Sequence, residues 1–135
     1  MSNNNKSLYN SSILIVDHDP LSSQQLSEIL KETGYQNISL LNDPKEALKV
    51  YRDKNPDLIF IDLRMPGLGG IEVLDDLKTL CRKNYLPVIV LSGLADLEIR
   101  LMAFKWGVKE FLGQPYNVNE VRFRARHVLE TAQKL

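Results

Sequence analysis

The sequence contains one cysteine, no long apolar segment and no excess of charge, and each absence excludes a class of protein. Because Cys81 stands alone, an internal disulfide is impossible, which is typical of proteins of the reducing cytoplasm. The apolar runs are too short to cross a bilayer and no basic, apolar leader opens the chain, so we expect neither a membrane segment nor a secretion signal. The 17 basic and 17 acidic residues cancel, so bulk charge indicates no nucleic-acid or membrane surface.

What the sequence does contain is enough apolar material for one folded domain. It has 135 residues, of which 44% are hydrophobic. Residues 1–10 are polar and are predicted to form a disordered tail, and residues 11–135 are predicted to form the domain.

Short apolar runs alternate along the chain with segments of helical periodicity. The runs predict five strands, at residues 12–16, 38–41, 57–61, 86–92 and 110–112. Apolar residues three and four apart predict a helix after each strand. The inward face predicted for the fourth helix, for example, contains Ile99, Met102, Ala103 and Trp106. This alternation predicts an α/β fold, a doubly wound five-stranded parallel sheet with (βα)5 flavodoxin-like topology.

Capping residues at the ends of the predicted helices support this alternation. Three helix starts carry an N-cap signal, namely Asp19, Asp43 before Pro44, and Asn117. Gly34 and Gly107 stand where helix C-caps belong. In a sheet of this kind the ligand site lies beyond the carboxyl ends of the strands, so the residues there are the ones to inspect.

Polar side chains follow four of the predicted strands. The relevant positions are Asp17-His18-Asp19, Asp62, Ser92 and Gln114 before Pro115. Because parallel strands end at the same edge of a sheet, Asp17 and Asp62 are expected to share a divalent cation, and oxygen ligands of this kind favour Mg²⁺. A hydroxyl at a neighbouring strand end can hold a phosphoryl oxygen, and an aspartate can accept a phosphoryl group covalently.

These residues differ in how strongly they indicate function. An acid after an apolar central strand is costly to bury without a partner, which favours functional roles for Asp62 and Asp17. Asp19 precedes a proline and a helix and is predicted to be an N-cap. Ser92 is favoured as a functional hydroxyl over one that only satisfies nearby backbone groups. His18 alone leaves three interpretations open: a metal ligand, a pH-sensitive neighbour or a surface residue.

Four segments resemble the receiver domain of bacterial two-component response regulators, namely "ILIVDHDP", "DLIFIDLRMPGLGG", "PVIVLSG" and "WGVKEFLGQPYNVNEV". The resemblance runs from Ser12 to the C-terminus, and D-x-x-M-P-x-x-G-G is its most specific part. It implies that Asp62 accepts a phosphoryl group from a sensor histidine kinase or a phosphotransfer protein, in a signalling domain rather than an enzyme. It also implies that Ser92 contacts the phosphoryl group and that Mg²⁺ is held by Asp17, Asp62 and the Arg64 backbone carbonyl.

Two residues depart from the family pattern. The family usually has a metal-binding acid where His18 stands and a lysine where Gln114 stands. Imidazole is a poor Mg²⁺ ligand, and glutamine donates a hydrogen bond without bringing charge. The loss of one acid also eases the repulsion that a phosphorylated Asp62 would feel. We therefore expect weak Mg²⁺ binding, slow or absent phosphorylation and a pH-sensitive pocket around His18. The resemblance further implies a cis Gln114–Pro115 bond and a switching aromatic at Phe111.

Other functions remain open for the same residues. A receiver-like fold without the acid and the lysine can act as a phosphorylation-independent pseudo-receiver, a protein-interaction module. "LIVDHDP" also resembles the opening motif of haloacid-dehalogenase-like phosphatases, with Asp17 as nucleophile and Asp19 as acid/base, but this leaves "DLRMPGLGG" without a role. A flavodoxin-like flavin binder is disfavoured because no Ser/Thr-Gly-rich phosphate loop follows the first strand.

The resemblance also implies partners. Helix 4, strand 5 and helix 5 form the usual dimerisation face of the family, which makes a homodimer a candidate assembly. Phe111 and Trp106 are candidate contacts there, although Trp106 is favoured as a core residue. The wording "VRFRARHVLET" in the last helix is similar to receivers that continue into a cyclic di-GMP phosphodiesterase (HD-GYP) output module. We expect no direct nucleic-acid partner and no membrane partner.

Overall fold

The computed structural model describes residues 7–43, 46–64, 70–80, 85–92 and 96–134. The strands within them are β1 (Ser12–Val16), β2 (Asn37–Leu41), β3 (Leu58–Ile61), β4 (Val88–Leu91) and β5 (Glu110–Leu112). The helices are α1 (Pro20–Thr33), α2 (Ala47–Lys54), α3 (Gly70–Leu80), α4 (Leu97–Lys105) and α5 (Val118–Gln133). All neighbouring strands are parallel, in the order β2-β1-β3-β4-β5. The predicted fold class is confirmed, with small shifts at the strand ends.

Alternating side chains of the central strands enter two separate cores. Leu14 and Val16 pack toward α2, α3 and α4, whereas Ile13 and Ile15 pack toward α1 and α5. The residues of β3 and β4 are buried on both faces, as a parallel sheet covered by helices requires. The chain changes direction across the sheet between β1 and β3, so a crevice opens beyond the carboxyl ends of these two strands.

The N-caps predicted for the first and last helices are confirmed, whereas the second helix begins at Ala47 with Glu46, not Asp43, at its N-cap position. The Asp19 carboxylate accepts a hydrogen bond from the Leu21 amide at 3.0 Å, and the Asn117 side chain accepts one from the Glu120 amide at 3.0 Å. Gly34 has a φ of 126° and Gly107 a φ of 96°, which a side chain would strain. The proline start predicted for the second helix lies at residues 44 and 45, outside the described residues.

Replacing Asp19 with alanine is expected to lower the free energy of unfolding by about 1 kcal/mol, because the first turn of α1 loses its N-cap. Urea denaturation measures this change. Asp19→Ser keeps an oxygen acceptor and is expected to retain most of the stability. A full loss in Asp19→Ser as well would show that capping is not the reason.

The fourth helix differs from its prediction. Ala103 is fully buried as expected, but Met102, predicted on the inward face, is 43% exposed. The reason is that Leu97, Leu101 and Phe104 are also apolar and exposed, so apolar spacing does not single out one face of α4. Trp106 follows the helix, packs partly against the core and donates from Nε1 to Asp75 at 2.9 Å.

Two predictions fall at the limits of the described residues. Residues 1–6 of the predicted tail lie outside them, whereas Leu8–Asn10 form a short 3-10 helix. The Tyr9 ring packs edge to face on Tyr35, with the ring centroids 5.2 Å apart. Cys81 also lies outside the described residues.

Candidate functional site

Four of the residues predicted at the strand ends, Asp17, Asp62, Ser92 and Gln114, meet in one cavity of about 250 Å³. Its lining consists of Asp17, Asp62, Arg64, Leu91, Ser92, Asp96 and Gln114. Strand pairing brings them together, because the backbone amide of the residue after each central strand still donates a hydrogen bond to the neighbouring strand. The amide of Asp17 donates to Leu41, and the amide of Asp62 donates to Val16. The sheet therefore fixes the backbone from which each functional side chain extends.

The two carboxylates are buried and their orientations are set by tight turns. Asp17 is 2% exposed and accepts a hydrogen bond from the Asp19 amide at 3.0 Å. Asp62 is 7% exposed and accepts one from the Arg64 amide at 2.8 Å. Each turn leaves carboxylate oxygens facing the cavity, where a hard cation or a phosphoryl group can reach them.

His18 lies beside both carboxylates. Its Nδ1 is 3.9 Å from Asp17 Oδ1 and 3.9 Å from Asp62 Oδ2, and its side chain is 46% exposed. Ligand atoms of the three residues lie within 4.8 Å of one another, which is close enough to bind one metal ion. The two carboxylates suit Mg²⁺, whereas the imidazole suits zinc, copper or nickel better. The donor set therefore fits Mg²⁺ at the two aspartates and fits it poorly at His18.

Burial raises the pKa of the Asp17 carboxyl above its ordinary value of 3.8. Hydrogen bonds from the Asp19 amide and the Ser22 side chain partly oppose this effect by stabilising the ionised form. The negative charge of Asp62 raises the pKa further, and His18 lowers it. Asp17 is thus an acid whose ionised form costs free energy unless a cation joins it.

Replacing Asp17 with asparagine is expected to raise the free energy of unfolding near neutral pH when a chelator removes free metal. Because the folded-state pKa is raised, the contribution of Asp17 to stability is full below pH 3.8 and is lost as the pH rises through the folded-state pKa. Asparagine keeps an oxygen for the Asp19 amide and carries no charge. Urea denaturation should show an advantage of the variant that shrinks toward pH 3.8; equal stabilities at neutral pH would contradict this explanation.

Gln114 belongs to a hydrogen-bonded cluster that the sequence did not reveal. Its Nε2 donates to Ser22 Oγ and, at 3.2 Å, to the Tyr116 hydroxyl. The Ser22 and Tyr116 hydroxyls also share a hydrogen bond at 3.0 Å. Burial raises the pKa of Tyr116, so it stays a neutral phenol. The cis Gln114–Pro115 bond implied by the resemblance is confirmed.

The side chain of Arg64 was also missed, since only its backbone carbonyl was predicted to take part. Arg64 Nη1 lies 3.1 Å from Asp96 Oδ2, and its Nε lies 3.7 Å from Asp62 Oδ1. Asp96 stands immediately before α4. The sequence signal for this role was the position of Arg64 two residues after Asp62. That position did not reveal that Arg64 pairs with Asp96.

Ser92 is linked to the fourth helix and the fifth strand. Its carbonyl accepts a hydrogen bond from Arg100 Nη2 at 2.9 Å. The Arg100 guanidinium lies over the Phe111 ring, 5.2 Å from its centroid. Phe111 packs partly against the core. Arg100 of α4 therefore contacts both the Ser92 backbone and the Phe111 ring.

Asp19 is the predicted strand-end acid that does not line the cavity, because its carboxylate caps α1. The phosphatase interpretation required that carboxylate as the acid/base beside Asp17. Because the Asp19 side chain binds the Leu21 amide, the buried acids at these strand ends are Asp17 after β1 and Asp62 after β3. This is the pair expected for shared Mg²⁺ rather than for a D-x-D nucleophile and acid.

Large apolar side chains are exposed on α4 and α5. They are Leu97, Leu101, Met102, Phe104, Val118 and Phe123. Among the described residues no helix combines the length and the apolar character needed to cross a membrane.

Known proteins share this sequence pattern and this fold. RpaA from Synechocystis, a DNA-binding transcriptional regulator, is 32% identical over 124 residues, which cover 91% of this chain and 51% of RpaA. Histidine kinase P4 from Formosa agariphila is 32% identical over 126 residues, 93% of this chain and 9% of that protein. This chain therefore spans about half of RpaA and a small part of P4.

The solved receiver domain of the Francisella response regulator 1452 superposes with a TM-score of 0.76 at 30% identity, over 90% of this chain and 98% of that one. Residues 13–126 match the sequence model of the family described as "Response regulator receiver domain". The match includes Asp17, Asp62, Ser92 and Gln114. The chain therefore belongs to the response regulator receiver domain family.

Proposed function

We propose that this receiver domain acts in two-component signalling by accepting a phosphoryl group on Asp62 from a partner's histidine. One observation carries the proposal: the Asp62 carboxylate, at the end of a central strand, lines the same cavity as Asp17, Ser92 and Gln114. A carboxylate held this way can act as a nucleophile while neighbouring donors receive the transferred oxygens. The domain is a signalling phosphoacceptor module rather than a catalytic enzyme domain.

The chemistry requires one bond to form and one to break. A carboxylate oxygen of Asp62 forms the new bond to phosphorus, and the bond from phosphorus to the donor imidazole nitrogen breaks. The electron pair of the broken bond returns to that nitrogen. The Ser92 hydroxyl is a neutral donor at the cavity wall that can hydrogen-bond the phosphoryl oxygens, and the Gln114 amide can do so once it releases Ser22 or Tyr116.

The same site would hold Mg²⁺ through the Asp17 and Asp62 carboxylates and the Arg64 backbone carbonyl. When bound, the ion supplies charge neutralisation for the phosphoryl oxygens. Because His18 replaces an oxygen ligand, we propose that the affinity for Mg²⁺ is low.

Calorimetric titration with beryllofluoride, a phosphoryl mimic, tests the site without a kinase. At high Mg²⁺ concentration the wild-type chain should bind the mimic in a saturable, Mg²⁺-dependent manner. Asp62→Asn keeps the shape of the side chain and is the matched control, which should not bind. If the wild-type chain binds no beryllofluoride at any Mg²⁺ concentration, the phosphoacceptor function is wrong.

The second candidate function is the phosphorylation-independent pseudo-receiver. It is favoured by the engagement of the Gln114 amide, which already donates hydrogen bonds to Ser22 and Tyr116. In that case the exposed surface, not Asp62, would carry the function. Retention of partner binding in Asp62→Asn, together with no beryllofluoride binding in the wild type, would support this alternative.

The partners remain proposals. We expect a sensor histidine kinase or a phosphotransfer protein as donor, and dimerisation through α4, β5 and α5, where exposed Leu97, Leu101 and Phe104 offer an apolar surface. Sedimentation velocity with and without beryllofluoride tests the dimer. The cyclic di-GMP phosphodiesterase-type output module stays a prediction from the wording of the last helix, since RpaA, a DNA-binding regulator, shows that other outputs occur among relatives.

A further inference from the structure

The described lining of the cavity has an unbalanced charge. Three carboxylates face it, from Asp17, Asp62 and Asp96, and the cationic side chain among the described lining residues is that of Arg64. Gln114, where the family usually has lysine, brings no charge. A phosphoryl group on Asp62 would add further negative charge to this cavity, so it needs a cation from elsewhere in the site.

Arg64 is placed to provide that cation. Its Nε is already 3.7 Å from Asp62 Oδ1, and its side chain is half exposed, so it can turn without disturbing the core. A guanidinium can bind two phosphoryl oxygens at once through two parallel charge-assisted hydrogen bonds. We expect this interaction to be stronger than the partly exposed ion pair that Arg64 now makes with a carboxylate. Its present partner is Asp96, at 3.1 Å, and such partly exposed ion pairs contribute little to stability.

Asp96 carries the consequence to the fourth helix. It occupies the N-cap position of α4, but its side chain makes no capping hydrogen bond there. The carboxylate instead faces Arg64. If Arg64 turned to a phosphoryl group, the Asp96 carboxylate would be free to accept hydrogen bonds from the amides of the first turn of α4, an arrangement that helix N-termini favour.

We infer that the Arg64 side chain binds the phosphoryl oxygens on Asp62 in place of the missing lysine, and that its departure from Asp96 lets Asp96 cap α4. The inference rests on the proposed phosphoacceptor function. Exchange of the Arg64–Asp96 ion pair for an Arg64–phosphoryl pair would couple phosphorylation of Asp62 to α4 and its apolar surface.

The test is beryllofluoride affinity at saturating Mg²⁺, compared between the wild type and Arg64→Gln. The variant keeps the backbone carbonyl and is expected to bind about tenfold more weakly or worse. Adding Gln114→Lys to Arg64→Gln should restore much of the affinity by returning a cation to the site. Arg126→Gln is the matched control, because it removes an equal charge from an exposed pair with Glu130 on α5 and should change nothing.

Amide hydrogen exchange by NMR tests the second half of the inference. Beryllofluoride should slow exchange at the amides of Glu98 and Ile99 in the wild type, and this effect should disappear in Asp96→Ala. Equal beryllofluoride affinity of Arg64→Gln and the wild type would overturn the role of Arg64 and leave the phosphoacceptor function intact. No binding by the wild type would overturn both, and unchanged exchange in the bound wild type would overturn the capping step.

Discussion

His18→Asp is expected to tighten Mg²⁺ binding by roughly tenfold or more, because it places a third carboxylate beside the two that form the proposed Mg²⁺ site. Nδ1 of His18 lies 3.9 Å from an oxygen of each aspartate, so a shorter acidic side chain at this position still reaches the site. One added charge about 4 Å from a cation contributes about 1–4 kcal/mol, depending on the local dielectric, and about 1.4 kcal/mol corresponds to a tenfold change. Calorimetric titration with Mg²⁺ measures the difference.

His18→Asn is the matched control for that experiment. It supplies an oxygen ligand without charge, so an intermediate affinity would separate the effect of ligand type from the effect of charge. Without metal, His18→Asp should also be less stable than the wild type, because three carboxylates then repel one another. Equal Mg²⁺ affinities of His18→Asp and the wild type would contradict the interpretation of His18 as the cause of weak binding.

Phe60→Ala is expected to lower the free energy of unfolding by about 3–5 kcal/mol. Phe60 is fully buried in β3 and belongs to the core between the sheet and helices α1 and α5. Its removal leaves a cavity in the centre of the sheet, which pairing with β1 and β4 prevents from collapsing. Since domains of this size are stable by about 5–15 kcal/mol in total, this loss is a large share of the free energy of unfolding.

Urea denaturation of Phe60→Ala and Phe60→Leu would measure this effect. Leucine fills most of the space and should cost clearly less than alanine. A loss below about 1 kcal/mol in Phe60→Ala would mean that the core relaxes around the site, against the expectation for a close-packed interior.

The strands and the strand-end acids could be predicted from the sequence because each rests on a local pattern. The runs around Ile15 and Phe60 are apolar at consecutive positions, which only a covered parallel strand explains. Asp17 and Asp62 directly follow such runs, so knowing the strands was enough to place both acids at one edge. Asp19 was assigned as an N-cap from its place before Pro20, and in the structure its carboxylate accepts a hydrogen bond from the Leu21 amide.

The contacts that tune the site could not be predicted, because they join side chains far apart in the chain. Ser22 and Gln114 meet only once α1 and the residues after β5 are in place. The pairing of Arg64 with Asp96 likewise depends on how α4 starts. The exposed side of α4 was assigned wrongly at Met102, since its apolar residues do not follow a single helical face.

The two departures from the family pattern, His18 and Gln114, change the charges that surround Asp62. Relative to the usual family pattern, His18 in place of an acid and Gln114 in place of a lysine remove one negative and one positive charge, so the net charge is unchanged while the cation that would face a phosphoryl group on Asp62 is lost. Arg64 is a nearby cation within the described cavity, and Asp17 is the acid whose burial demands a counter-charge. The proposed outcome is a receiver that responds to phosphorylation but needs more Mg²⁺ to do so.

Intact-mass spectrometry after incubation with acetyl phosphate and excess Mg²⁺ tests the central claim most directly. The wild-type chain should slowly gain the mass of one phosphoryl group, and Asp62→Asn, treated in the same way, should gain none. Absence of the gain in the wild type, or its persistence in Asp62→Asn, would contradict the assignment of Asp62 as the phosphoacceptor.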